Sequence, residues 1–258
     1  KGLEVWQELN GWSYKELISE VQDAIGSRYL SGSVILSDSK NDKEKQDELK
    51  RLIFERLNTG GITLTKQEIR NAVNTSKMNT MINDFADNND TFNNLWHSKE
   101  DSKNRMGNRE MILRFFAYKD LSYNNNTAVG TSQALDYYSA KSVYFDDSKV
   151  KNLKLYIENT LDLVKKLFGE QAFNKNNGTK SEKMIFDTVM LACSMCIDKE
   201  ICLNGDMDIE NNIQVKNDFL ESNRELFNGK YTSFSKVLER QEAFYNFLNS
   251  EIINGTSN

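Results

Sequence analysis

A helix that must stop at two adjacent glycines and restart at once is the strongest constraint in this chain. Leu49, Leu52, Ile53 and Leu57 recur at helical spacing up to Asn58, Thr59, Gly60 and Gly61. Paired glycines accept positive φ and leave backbone N–H groups unshielded. Thr65 with Glu68 three residues later forms a capping-box pattern, followed by Ile69, Ala72 and Val73 on one face. Two helices therefore meet at a glycine corner, and the second points its N-terminus into it. Free N–H groups and the positive end of a helix suit a phosphate or carboxylate. Arg56 and Arg70 flank the corner and supply charge.

Composition sharpens the meaning of those arginines. The 258 residues include 31 Asn, no Pro, and 24 Lys against 9 Arg, a bias that lowers the information in any single Asn or Lys. Seven arginines fall within the first 114 residues: Arg28, Arg51, Arg56, Arg70, Arg105, Arg109 and Arg114. The planar guanidinium fork grips an oxyanion through two parallel bonds, which Lys does not. Ion pairing on helix surfaces, such as Arg51 with Glu55 or Arg114 with Glu110, is the competing role for each.

Several function classes are disfavoured. His97 is the only histidine, so a multi-histidine nuclease site is absent and a Ser-His-Asp triad has no nucleophile motif beside it. Cys193 and Cys196 have zinc-like spacing but lie in an apolar helical run, with Cys202 the only other cysteine. Buried reduced thiols are expected, and no metal site. Asp146 with Asp147, and Asp206 with Asp208, read as caps and turn residues rather than a metal site. No Walker or dinucleotide fingerprint occurs. The chain carries a net charge of −5, relieved only in the slightly basic window 51–114, so unmodified duplex DNA is expected to bind weakly and through charge. No apolar run reaches membrane-spanning length, and a cytoplasmic location is expected.

The expected architecture is mostly α. Residues 14–25 form a helix behind a Ser13–Glu16 capping box, with Tyr14, Leu17, Ile18, Val21 and Ile25 inward. Residues 29–37 are β-rich and give one short strand. Further helices follow around Met81, after a cap at Asn108, from Val150 to a stop at Gly169, through the almost wholly apolar run 184–197, and over 219–227 and 234–248. A lone strand cannot bury itself and needs partner strands.

The corner also carries a resemblance. The run from Phe54 to Ala72, and Arg56-Leu57-Asn58-Thr59-Gly60-Gly61 above all, resembles the signature of the bacterial family catalogued as domain of unknown function 262, which includes GmrSD-type modification-dependent restriction enzymes. Residues 10–17 resemble the family's turn and short helix before its last strand, and residues 105–118, 168–173 and 185–187 are similar to its later helical parts, so the resemblance covers most of residues 1–200. It implies a helical bundle with one short strand left over from an α/β N-terminal domain of ParB or sulfiredoxin type. It implies a division into 1–73, the end of the nucleotide-site domain, 74–170, a helical domain, and 181–258, a C-terminal helical part. The family's Asp-Gly-Gln-Gln-Arg motif, associated with nucleotide hydrolysis, does not occur in this chain. The chain would then be the C-terminal part of a longer protein, or a variant that lost its catalytic half.

By that resemblance the function is the sensor or nucleotide-responsive portion of a prokaryotic defence protein acting on modified or foreign DNA. Arg56, Asn58, Thr59, Gly60, Gly61 and Arg70 would contact phosphate, Thr65 and Glu68 would set the helix start, and Arg109 and Arg114 would stand behind them. No catalytic residue is expected in this chain. GTP or ATP with Mg would serve the longer protein and none would be needed by this chain alone. The expected partners are the α/β domain and DNA, with self-association open and no membrane. The alternative is a non-enzymatic helical interaction or scaffold module.

Overall fold

The computed structural model describes residues 7–29, 46, 49–50, 52–53, 56, 64–97, 106–124, 129–175, 178, 181–201, 207–227 and 233–253. The chain divides into two compact units, residues 1–43 and 44–258. The described part is predominantly helical, as the sequence requires. The expected strand at 29–37 lies outside the described residues except for Tyr29, and no strand occurs among those described.

In the first unit a 3-10 turn, Tyr14–Glu16, follows the expected capping box, with the Ser13 N–H donating to Glu16 Oε2 at 2.6 Å. Helix α1, Ser19–Gly26, comes next. Its expected inward face is covered only in part, with Leu17 and Val21 half-buried and Tyr14, Ile18 and Ile25 exposed. Trp12 is 53% exposed, Ile18 59% and Ile25 50%, and no described side chain between residues 8 and 29 is buried. An eight-residue helix presents an apolar stripe but cannot enclose it.

The second unit holds ten helices among its described residues. They are α2 Lys66–Val73, α3 Lys77–Asn88, α4 Asp90–Leu95, α5 Gly107–Asn124, α6 Thr131–Ser142, α7 Asp147–Phe168, α8 Lys183–Asp198, α9 Ile209–Ser222, α10 Arg224–Phe227 and α11 Phe234–Phe247. Leu248–Ile253 continues the last as a π-helical turn. Gln46, Leu49, Lys50, Leu52, Ile53 and Arg56 are also helical.

Helix ends follow local chemistry. The side chains of Asp146 and Asp208 accept the N–H groups of Lys149 at 2.8 Å and Asn211 at 3.0 Å, capping α7 and α9. Gly169 ends α7 at φ +54°, ψ −149°, a conformation reserved for glycine. Two ends differ from expectation. Asn108 lies inside α5 rather than capping it, because the chain enters from Met106 at φ +61°. The helix expected over 219–227 begins instead at Ile209 and breaks at Asn223.

Helix α8 is the centre of the unit. Every side chain from Ile185 to Ser194 is buried, and α8 packs against α5, α7 and α11. Phe92, Trp96, Phe173 and Phe186 meet edge-on or tilted around its start, with centroids 4.7–6.3 Å apart. Burying each such side chain contributes about 1.5–3 kcal/mol. The same core runs from Met78 to Ile252, on both sides of the 171–180 connection.

Candidate functional site

Helix α2 begins as its sequence dictates. The Thr65 N–H donates to Glu68 Oε2 at 2.7 Å and the Glu68 N–H donates to Thr65 Oγ1 at 3.2 Å, a complete capping box. Two donors at the helix start are thereby satisfied. Asn58, Thr59, Gly60 and Gly61 lie outside the described residues. Arg56 is helical, with its side chain exposed.

Arg70, expected to face an anion at the corner, instead binds helix α6. It is 4% exposed. Its Nε donates to Asp136 Oδ1 at 2.7 Å, Nη1 to Gln67 Oε1 at 3.3 Å, and Nη2 to Ser132 Oγ at 3.1 Å. A guanidinium so enclosed requires a carboxylate partner. Arg109 on α5 donates through Nη2 to both oxygens of Asp87 on α3, at 2.6 and 2.7 Å. Arg114, five residues on, forms a fork with the buried Asp187 of α8 and lies 5.2 Å from the Tyr118 ring. Burial disfavours its charge, but the carboxylate outweighs that and holds the guanidinium firmly protonated. Arg109 and Arg114 thus hold both oxygens of an aspartate and Arg70 holds one, and all three oxyanions belong to the same chain.

A second polar network lies further along α5. Lys119 pairs with Asp198 and donates to Ser194 Oγ at 3.1 Å. The Tyr156 hydroxyl donates to Asp198 Oδ1 at 2.7 Å. Lys141 on α6 holds both oxygens of Asp120, at 2.7 and 2.8 Å. Beside this network a cleft of about 520 Å³ opens between α5, α6 and the first turns of α7. Phe116, Tyr138, Phe145, Leu153 and Tyr156 line it, and Lys119, Asp120, Asp146, Ser148, Lys149 and Asn152 give it a polar edge.

Sequence reasoning missed this cleft because it missed α6. The available signal was the spacing of Ala134, Leu135, Tyr138 and Ser142, all buried on one face, but small and hydroxylic residues make a weak stripe.

Among the described residues no group of three or more His, Cys, Asp or Glu side chains is placed to hold a metal ion. Cys193 and Cys196 are buried and unbridged; Cys202 lies outside the described residues. His97 is exposed just after α4, where its backbone N–H donates to Ser181 Oγ at 2.9 Å. No described helix is long and apolar enough to cross a membrane. No family model, no curated protein and no solved structure matches this chain.

Proposed function

We propose that this chain is the sensor or nucleotide-responsive portion of a prokaryotic defence protein acting on modified or foreign DNA. Arg56, Asn58, Thr59, Gly60 and Gly61 would complete a phosphate site whose hydrolytic groups belong to an upstream motif. The observation that carries this reading is the start of α2. Its capping box follows directly on the Asn-Thr-Gly-Gly run, and the Arg70–Asp136 pair anchors the helix to α6. The capping box uses two donors of this helix start, so an anion in front of it would be held by the remaining first-turn N–H groups and the positive end of the helix. The uncovered apolar side chains of residues 12–25 also fit a segment that packs on a further domain, here the α/β domain the resemblance implies. GTP or ATP with Mg would act in that longer protein, in the cytoplasm and on DNA.

A non-enzymatic helical scaffold is the second reading. It is favoured by the commitment of Arg70, Arg109 and Arg114 to aspartates within the bundle.

The coding sequence upstream of Lys1 and the nucleotide turnover of the extended protein separate the two. The first reading expects an Asp-Gly-Gln-Gln-Arg run, Mg-dependent GTP or ATP hydrolysis by the extended chain, and no useful turnover by residues 1–258. Loss of turnover in Arg56→Ala and Gly60→Val, with the fold retained, would tie the corner to it. An extended protein that neither binds nor hydrolyses nucleotide establishes the scaffold reading instead.

A further inference from the structure

The cleft between α5, α6 and α7 has an apolar floor, a balanced polar edge and a tyrosine hydroxyl that hydrogen-bonds to no described residue. Phe116 and Tyr138 lie nearly parallel, 7° apart with centroids at 6.3 Å, and Phe145 meets Tyr138 edge-on at 5.9 Å. Leu153 and Tyr156 complete the lining from α7. At about 520 Å³ the space falls within the range of small-molecule sites.

Most of the charges around it are answered in place. Lys119 pairs with Asp198 and Asp120 with Lys141, while Asp146 caps α7. The Lys149 ammonium lies 3.9 Å from the centre of the Phe145 ring and pairs with no carboxylate among the described residues. With two lysines and two aspartates on its edge, the cleft has no net field to select a strongly charged ligand.

Tyr138 is 3% exposed, and its hydroxyl hydrogen-bonds to no described residue. It is not among the sealed polar atoms of the structure, so the cleft is its opening. Burial, with Asp120 nearby, raises its pKa, and a phenol is in any case a protonated donor at neutral pH. Through that opening the hydroxyl can donate to an acceptor seated in the cleft.

We propose that this cleft binds a flat, uncharged heteroaromatic ring bearing a polar arm. The ring seats on the aromatic floor and accepts a hydrogen bond from Tyr138, and the arm lies at Ser148, Lys149 and Asn152. Stacking on aromatic side chains is general for such rings. These residues are distinct from the glycine corner, so the proposal stands apart from the nucleotide reading.

Adenosine and cytidine carry a ring and a polar arm but no phosphate, and they are titrated separately into the 258-residue chain by calorimetry and saturation-transfer NMR. The proposal expects at least one to bind with a Kd of about 100 μM, and ribose not to bind. Tyr138→Phe should weaken binding about tenfold without lowering Tm, and Leu153→Trp, which fills the cleft, should abolish it in a folded protein. The proposal is overturned if neither nucleoside binds below about 5 mM, or if Tyr138→Phe leaves the affinity unchanged. It fails equally if adenosine monophosphate binds while adenosine does not, since phosphate would then be the group recognised.

Discussion

Arg114 on α5 and Asp187 on α8 face each other as a fork. Arg114 Nε donates to Asp187 Oδ1 at 3.0 Å, Nη2 donates to Oδ2, and the Asp187 side chain is 1% exposed. Removing one partner strands a charge in the core. Asp187→Asn and Arg114→Met should each destabilise by about 3–5 kcal/mol, whereas an apolar pair at both positions should recover much of the loss. Urea denaturation of the singles and the double decides this, and additive losses would mean that the two side chains act independently.

Thr65 closes the capping box that starts α2. Thr65→Ala should cost about 1 kcal/mol, and Thr65→Ser should cost much less. Equal stability of all three proteins in chemical denaturation would show that the helix start is held by other contacts.

Lys216 on α9 is fully buried. It donates to the carbonyl of Gln171 at 2.5 Å and to that of Asn174 at 3.1 Å. Burial pushes its ammonium down to about 8, against 10.5 for a free lysine. Between those values the unfolded chain binds more protons than the folded one. Stability should therefore rise with pH across this window, and the gain should be lost as pH falls back through 8. Lys216→Met should flatten that slope. An unchanged slope in the variant would assign it to other groups.

Cys193 and Cys196 lie on the buried face of α8. Burial raises both thiols, Cys196 to about 11 and Cys193 well above its ordinary value. The thiolate is the reactive form, so neither should react with a thiol reagent in the native protein. A Cys202→Ser background isolates the pair, and labelling should appear only with unfolding. Rapid labelling under native conditions would overturn the assignment of these cysteines as inert core side chains.

Much of the fold is legible in the chain itself. The Thr65–Glu68 pair, the Asp146 and Asp208 caps and the Gly169 stop are local devices, settled within a few residues by orphan backbone groups and by glycine's access to positive φ. The apolar run of α8 similarly identifies the helix that others surround. Of the inward face assigned to Tyr14, Leu17, Ile18, Val21 and Ile25, Leu17 and Val21 are half-buried and the other three exposed, because periodicity shows which side of a helix is apolar but not whether anything covers it.

The sequence alone marks arginine as the residue suited to gripping oxyanions, and it assigns Arg70 to a phosphate with Arg109 and Arg114 behind it, whereas all three hold carboxylates of this chain. Which carboxylates they grip is decided only by the tertiary structure. Asp136, Asp87 and Asp187 stand 66, 22 and 73 residues from their partners, beyond the reach of any local pattern. The same holds for the cleft, whose walls come from three helices, one of them without a strong apolar stripe. Caps and stops are determined by neighbours along the chain; ion pairs and cavities are determined by which helices pack together.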